Sequence, residues 1–319
     1  MTGSGQSHNF LDDKTNTGKG IVIMDRNTTK YKVKQYIMFA GISTVLFAAV
    51  VIIPFIYGLY LTFTSWDGIS KDKQFFGFAN YIATFKDIAY WQALGRTVIY
   101  SVISVVLVNV VAFFLAYLLT SGIKGQNFFR AGFFIPNLIG GIVLGYIWQT
   151  LLNGLLSKWG QPLLALSAKN GFIGMLILLC WQQIGYMMII YIAGLQAVPE
   201  DMLEAAKIDG ANKWQTLWKV TIPNVMPSIT ICMFLTLTNG FKLFDQNLAL
   251  TGGQPYIINP DGTTVHTTEM LALNIYNTFY GQNANARGTA QAKAVLFFVL
   301  VAAIGLIQLS ATRKKEVQQ

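Results

Sequence analysis

The sequence predicts an all-α polytopic membrane protein with six transmembrane helices, and two observations support this prediction. Only 12% of the 319 residues are charged and 53% are hydrophobic, whereas soluble domains carry about 25% charged residues. Six apolar stretches are each long enough to cross a bilayer core of about 30 Å, which takes roughly 20 helical residues. The composition excludes a soluble enzyme, a disordered chain and a disulfide-stabilised scaffold.

The predicted spans follow one another along a transmembrane domain, 36–312. They cover residues 36–64, 94–120, 131–153, 171–197, 222–245 and 292–312. The third span is the most interrupted, because it contains Pro136 and several glycines, which membrane helices tolerate where neighbouring helices satisfy the backbone. Residues 1–35 are predicted to form a polar cytoplasmic tail, and residues 313–319 a short charged one.

The distribution of positive charge predicts the orientation. With both termini in the cytoplasm, fourteen lysines and arginines fall on that side and six on the other, as expected when cations are retained inside. The aromatic-rich segment 65–93 is then expected to form an interfacial helix on the outer surface. The outer connection 246–291 is expected to contain a hairpin between Tyr256 and His266, because Asn-Pro-Asp-Gly at 259–262 is a turn signal.

Residues with metal-binding or catalytic chemistry are sparse. Cys180 and Cys232 lie inside apolar segments, so we interpret them as core residues. The two histidines, His8 and His266, are far apart in the sequence and no paired carboxylates recur. We therefore predict neither catalytic residues nor a metal site.

The segment 198–223 predicts a helix–turn–helix between the fourth and fifth spans. Pro199 suits the first position of a helix, and Gly210 suits a left-handed cap at its end. A second short helix is expected to carry Trp214 and Trp218 on one face, four residues apart.

Two interpretations of this segment follow from its residues. It is either a surface connector whose tryptophans enter the lipid headgroups, or a docking element for a soluble partner. In the second case Ala205 and Ala206 form a flat patch, and Glu204 and Asp209 provide directional charge.

The sequence here resembles a known family. Glu204-Ala205-Ala206, Asp209-Gly210-Ala211 and Ile222-Pro223 resemble the EAA loop of permease subunits of binding-protein-dependent ABC importers. The resemblance covers nearly all of residues 36–312. Within the family, the sequence most resembles the carbohydrate-uptake branch, the maltose-type permeases. It is supported by PFIYGLYLTFTSWDG at 54–68 and FKLFDQNLALTGGQP at 241–255.

This resemblance implies the type I ABC importer permease fold, a cytoplasmic coupling loop and a set of partners. Those partners are two ATP-binding subunits, a second homologous permease subunit forming a heterodimer, an extracytoplasmic solute-binding protein, a sugar or oligosaccharide, and the lipid bilayer of a bacterial inner membrane, with no nucleic acid. The sequence has no GxxxxGK[ST] motif, so the chain is expected to hold no cofactor, with ATP and Mg²⁺ bound by the partner subunits. Glu204 and Gly210 are the signature positions expected to couple ATP hydrolysis to transport.

The depth of the polar residues predicts a substrate pocket. At the rise per residue of an α-helix, residues 181–186 lie about 18–25 Å above the inner membrane interface. Residues 238–242, on the next helix, lie about 24–30 Å above it. The candidate pocket residues on these two segments are Trp181, Gln182, Gln183, Tyr186, Thr238, Asn239 and Lys242. Aromatic faces and amides are the groups expected to bind a sugar, although polar side chains also hold helices together without binding a solute.

The resemblance to maltose-type permeases refines this pocket. Trp181, Tyr186 and Asn239 match pocket residues of that family in type, whereas the glutamines, Thr238 and Lys242 depart from it. The resemblance therefore predicts a glycan as the solute and does not predict maltose itself. We expect Lys242 and Asp245 to neutralise each other at i,i+3 on one helix, so we do not infer an acidic solute.

Three alternatives remain. An ion-coupled secondary transporter should show inverted halves and buried carboxylates near the membrane midplane. The only acidic residue in the predicted spans is Asp245, which lies near the end of one of them. A membrane enzyme lacks candidate catalytic groups. An ABC permease for another solute, such as glycerol phosphate, an amino acid or a metal, keeps the same architecture.

Overall fold

The computed structural model describes residues 29–69, 73–258, 262, 264–281, 283 and 286–313. The chain divides into two compact units, 1–56 and 57–319. From Thr29 onward, α1 (Thr29–Phe47) continues through a π-helical turn (Ala48–Ile52) into α2 (Ile53–Leu61), and the boundary between the units falls within α2. Most of the predicted polar tail, 1–28, lies outside the described residues, and its last residues are helical from Thr29 onward.

The second unit contains all the other elements. After α2 these are α3 (Ala79–Lys86), α4 (Ile88–Thr120), α5 (Gln126–Phe134), a 3₁₀ turn (Ile135–Leu138), α6 (Gly141–Lys158), a second 3₁₀ turn (Leu164–Leu166), α7 (Ala168–Gln196), α8 (Glu200–Ile208), α9 (Lys213–Thr216), a π-helical turn (Leu217–Thr221), α10 (Ile222–Phe241), α11 (Asp245–Leu250), β1 (Tyr256–Ile258), β2 (Thr264–His266), α12 (Leu271–Tyr280) and α13 (Arg287–Arg313). Residues 314–319, which form nearly all of the predicted C-terminal tail, lie outside the described residues.

Among the described residues, five helices are long and apolar enough to cross a membrane, or six spans if a bent pair counts as one. The five are Lys32–Leu61, Ile88–Thr120, Ala168–Gln196, Lys213–Phe241 and Arg287–Arg313. They confirm the predicted all-helical membrane architecture.

The predicted third span is not one straight helix. Gln126–Leu138 and Gly141–Lys158 meet at an angle of 102°. The break follows Pro136, whose ring cannot continue an α-helix, and occurs at Gly140, which is extended. Residues 131–153 therefore form two helical segments with a bend between them.

The predicted boundary at Pro223 is also wrong. The second helix of the 198–223 loop does not stop before the fifth span, because Lys213–Phe241 is one continuous helix. The π-helical turn Leu217–Thr221 connects the two parts, and Pro223 follows it as the second residue of α10. At the other end this helix stops at Phe241 rather than at residue 245.

One face of α4 forms the centre of the helical packing. Most of its buried side chains recur every three or four residues, as expected for one side of a helix: they are Tyr90, Ala93, Thr97, Tyr100, Ser101, Ser104, Val108, Ala112, Ala116 and Leu119. Many are small, which allows close approach of α7 and α10. The opposite face exposes apolar residues such as Val106 and Val110, as expected for a surface that contacts lipid.

The bent segment packs on α7 through Gly185. A Cβ atom at this position would overlap the carbonyl oxygen of Phe133 at the end of α5. Glycine is therefore needed for α5 to approach α7 this closely.

The remaining predictions concern short elements and the cysteines. The hairpin is confirmed, because Tyr256 pairs with His266 in an antiparallel β1–β2 ladder, although residues 259–261 of its turn lie outside the described residues. The segment 65–93 contains the predicted helix, which is only the short α3. Cys180 and Cys232 are free thiols, half-buried and buried respectively, as expected for core residues.

Candidate functional site

The 198–223 loop begins with an exposed helix that has acidic residues in its first turn and a capped C-terminus. Pro199 precedes α8, and Glu200 and Asp201 place negative charge in its first turn, where the helix dipole favours it. At its end Gly210 adopts a φ of +76°. The amides of Gly210 and Ala211 donate to the carbonyls of Lys207 and Ala206 at 3.1 and 2.9 Å, which is the Schellman pattern of a helix C-terminus.

The second half of the loop begins with a capping box. The Asn212 side chain accepts from the Gln215 amide at 2.8 Å, and the Gln215 side chain accepts from the Asn212 amide at 2.9 Å. Trp214 and Trp218 lie one helical turn apart on the same face, and their ring centroids are 5.6 Å apart. The first helix of the loop thus has a C-terminal cap, and the second begins with an N-terminal capping box.

The predicted contact residues of α8 divide between two faces. Glu204, Ala205, Asp209 and Gly210 are exposed, and Ile208 is 86% exposed. Ala206 is instead buried, so the flat patch predicted from Ala205 and Ala206 is wrong for the second residue. The exposed surface combines an isoleucine, an alanine and two acidic groups.

A small polar cavity of about 190 Å³ lies where α7, α10 and α11 meet the 3₁₀ turn after α5. Four predicted pocket residues line it, namely Gln182, Gln183, Asn239 and Lys242, together with Asn137, Leu179, Leu243 and Gln246. The segments 181–186 and 238–242 therefore converge, as their depths predicted.

Hydrogen bonds between amides hold this cavity in shape. The Asn239 amide donates to Gln183 at 3.2 Å, and the Gln246 amide donates to Gln182 at 2.7 Å. Gln182 in turn donates to the carbonyl of Ile139 at 3.2 Å, at the bend between α5 and α6. The polar side chains thus both join helices and line a cavity.

The other three predicted pocket residues lie elsewhere. Trp181 is 42% exposed and packs against Trp148, with ring centroids 5.3 Å apart. Tyr186 packs against the apolar core between α4, α7 and α10. Thr238 donates its hydroxyl to the carbonyl of Phe234 within its own helix, and it lines a separate apolar groove of about 510 Å³ between α10 and α13.

The expected pairing of Lys242 with Asp245 is wrong. Lys242 caps the end of α10 and Asp245 begins α11, so the two residues do not share a helix. The ion pairs within 4.0 Å among the described residues do not include these two, and the Asp245 side chain packs beside Gly141. Asp245 therefore does not neutralise Lys242 at the cavity.

Asn137 and Gln246 line the cavity but were not among the predicted residues. Each lies beside a break in the helical pattern, Asn137 after a proline and Gln246 at the start of a short helix. Unsatisfied backbone and polar side chains near such breaks are typical of binding sites in membrane proteins. That signal was available in the sequence at Pro136.

A second polar cluster lies at the opposite end of the helical unit from the 198–223 loop, which we call the hairpin end because it carries β1, β2 and α12. Lys293 is 2% exposed, and its Nζ lies 2.7 Å from Asp87 Oδ2. The same Nζ donates to Asn274 at 2.9 Å and to Thr278 at 2.8 Å. This cluster joins the start of α4 to α12 and α13.

Comparisons with known proteins agree with this architecture. The family profile described as "Binding-protein-dependent transport system inner membrane component" matches residues 110–315. The probable starch degradation products transport system permease protein of Thermoanaerobacterium thermosulfurigenes is 41% identical over 89% of this chain and 95% of its own length. The multiple sugar-binding transport system permease protein of Streptococcus mutans is 32% identical over 83% of this chain and 90% of its own length.

A solved structure shares the fold. A chain of a bacterial ABC transporter involved in the import of the acidic polysaccharide alginate matches with a TM-score of 0.71. The match covers 89% of this chain and 96% of the other, at 18% sequence identity.

Proposed function

The chain belongs to the family of binding-protein-dependent transport system inner membrane components, and we propose that it is the permease subunit of an ATP-driven importer of a sugar, oligosaccharide or other glycan. Its relatives include permeases named for starch degradation products, multiple sugars and trehalose/maltose. It forms part of the translocation path, which opens alternately to either side of the membrane.

The 198–223 loop receives the work of ATP hydrolysis. The observation that carries this assignment is that α8 ends in a hydrogen-bonded cap at Gly210 yet exposes Glu204, Ala205, Ile208 and Asp209. A rigid, protruding helix with an apolar centre and acidic flanks suits a cleft in a soluble protein. Because the chain has no P-loop motif, ATP is bound and hydrolysed by separate subunits.

The assembly contains two ATP-binding subunits, a second homologous permease subunit and an extracytoplasmic solute-binding protein. Both termini and the 198–223 loop lie in the cytoplasm of a bacterial cell, because this orientation keeps fourteen cations inside and six outside. The hairpin end then faces the solute-binding protein.

Solute binds at the polar cavity beside Gln183, Asn239 and Lys242. Its amides alternate as donors and acceptors, which suits the hydroxyl groups of a sugar. The cavity of about 190 Å³ in this chain holds one end of the solute, and the second permease subunit completes the site. Trp181, Tyr186 and Thr238 lie outside this cavity.

An anionic cargo is a second candidate, and one observation favours it. Lys242 lines the cavity and is not neutralised by Asp245. A cation in the cavity wall attracts a carboxylate or phosphate. Uptake should therefore be measured with both neutral and acidic oligosaccharides.

The docking assignment is tested by co-purification of the ATP-binding subunit with variants of α8. Glu204→Arg reverses an exposed charge, and Gly210→Val introduces a β-branched residue at a φ of +76°, where it is strained. We expect both to lower the co-purified ATP-binding subunit and solute uptake, whereas Lys158→Glu, an exposed change at the end of α6, leaves both intact. Wild-type assembly and uptake in the α8 variants would refute the docking role.

A further inference from the structure

Five aromatic side chains at the hairpin end form a continuous row of ring contacts. The row runs from Trp66 through Phe279, Tyr280 and Tyr276 to Phe244. The centroid distances along it are 6.0, 4.9, 4.6 and 5.1 Å. These rings come from three separate parts of the chain, namely the connection after α2, helix α12 and the turn between α10 and α11.

The row is open on one side. Tyr280 is 67% exposed and Tyr276 is 38% exposed, and both line a cavity of about 390 Å³ with Phe244 and Phe279. Gln291 on α13 also lines this cavity. Flat rings, two phenolic hydroxyls and an amide are therefore available to a single ligand.

The row ends beside the polar cavity. Phe244 lies between Leu243 and Gln246 in the sequence, and both of these residues line the polar cavity together with Lys242. The row thus ends one residue along the chain from the lining of the candidate solute site.

We propose that the row from Trp66 to Phe244 is a binding track for a linear oligosaccharide, which guides successive sugar units from the hairpin end to the polar cavity. This inference rests on the proposed function. The apolar faces of sugar rings pack on aromatic rings, and tyrosine adds a hydroxyl that hydrogen-bonds at the edge. The spacing of the rings is comparable to the length of one sugar unit in a chain, so neighbouring units contact neighbouring rings.

A lipid-interface belt of aromatic residues predicts a different behaviour. Belt residues position the helix in the bilayer, so their loss should affect insertion and the uptake of all solutes alike. A track instead discriminates by chain length, because each further sugar unit contacts a further ring. Dependence on chain length is therefore the property to measure.

The experiment uses the complete transporter in proteoliposomes with its solute-binding protein and ATP. Uptake is measured for maltodextrins and alginate oligomers of two to six units. Tyr276→Leu and Tyr280→Leu remove the ring, Tyr276→Phe and Tyr280→Phe keep it, and Tyr146→Leu removes a tyrosine on α6 that is 56% exposed and lies outside the row.

For the leucine variants we expect KM to rise about fivefold to tenfold for chains of four or more units, with a much smaller change for disaccharides. Tyr146→Leu should stay within about twofold of wild type, since a ring elsewhere leaves the stacking intact. The phenylalanine variants should raise KM less than the leucine variants do, since they keep the ring and lose only the hydroxyl. Equal effects at all chain lengths, or none, would overturn the track. So would a wild type that imports only mono- and disaccharides.

Failure of the track is distinguishable from failure of the proposed function. If the wild-type complex imports glycans and the leucine variants do not differ from it, only the track is wrong. If the wild-type complex imports none of the glycans in an ATP-dependent manner, the proposed function fails and the track fails with it.

Discussion

Lys293→Met removes the donor at the centre of the buried cluster that joins α4, α12 and α13. Lys293 makes one ion pair and two further hydrogen bonds at 2.7–2.9 Å. Methionine keeps a stem of similar length, so little of the effect arises from a cavity. The substitution therefore isolates the charge and its hydrogen bonds.

The size of the effect follows from burial. Removing one partner of a buried ion pair costs about 3–5 kcal/mol, because the other charge is left without compensation. The Asp87 side chain is 32% exposed and regains some hydration, so we expect the lower end, about 3 kcal/mol. At roughly 2–4 °C per kcal/mol for a large domain, Tm should fall by about 6–12 °C.

The two cysteines provide the assay. Cys232 is fully buried and Cys180 is half-buried, so a thiol-reactive fluorophore reports thermal unfolding of the detergent-solubilised chain. Lys158→Met is the matched control, because this lysine is exposed at the end of α6, and its Tm should stay within about 1 °C of wild type.

A double-mutant cycle decides whether the pair itself is responsible. Asp87→Asn removes the charge but keeps an oxygen that can cap α4, where Asp87 Oδ1 accepts from the Ala89 amide at 2.9 Å. We expect the double variant with Lys293→Met to lose less stability than the sum of the single losses. A Tm of Lys293→Met within 1 °C of wild type, or strictly additive losses in the cycle, would refute the reasoning.

Three further predictions test other parts of the structure. Asn239→Leu should lower solute uptake by about tenfold or more while assembly with the ATP-binding subunit persists, because it removes an amide from the polar cavity; uptake equal to wild type would show that solute binds elsewhere. Gly185→Ala should cost about 3 kcal/mol in a thermal-unfolding assay, since α5 must move away, whereas Gly154→Ala, which has open space around it, should be neutral; equal Tm values would contradict the packing. Ala206→Glu should destabilise the chain because it buries a charge, while Ala205→Glu should keep Tm and reduce only co-purification of the ATP-binding subunit; identical effects of the two would contradict the two-faced helix.

The sequence predicted the features that depend on local pattern. Apolar stretches of about 20 residues identified the spans, and Gly210 predicted the end of α8, where the structure has a left-handed residue. The hairpin followed from its turn signal in the same way. In each case the information lies within a few residues, so it can be recovered from the chain alone.

The bend between α5 and α6 and the end of α10 depend on tertiary contacts. Pro136 indicated a break in the helix, but not its angle of 102°. At the bend, the side chain of Gln182 on α7 donates a hydrogen bond to the carbonyl of Ile139. Likewise, i,i+3 spacing placed Lys242 and Asp245 on one helix, whereas α10 ends at Phe241. Spacing predicts proximity only as long as the helix continues.

The Lys293 cluster shows why the remaining features were not predictable. Its ion pair joins residues 206 positions apart in the sequence. A lysine near the start of an apolar stretch is equally consistent with a charge that reaches the headgroups. Only the packing of α13 against its neighbours distinguishes these possibilities.

We propose that this chain moves a glycan only when separate subunits hydrolyse ATP beneath its 198–223 loop. The most direct test compares uptake into proteoliposomes by the complete transporter, with ATP or with a non-hydrolysable analogue, and by the purified chain alone under a proton or sodium gradient. We predict uptake only in the first condition. Gradient-driven uptake by the chain alone would contradict the account.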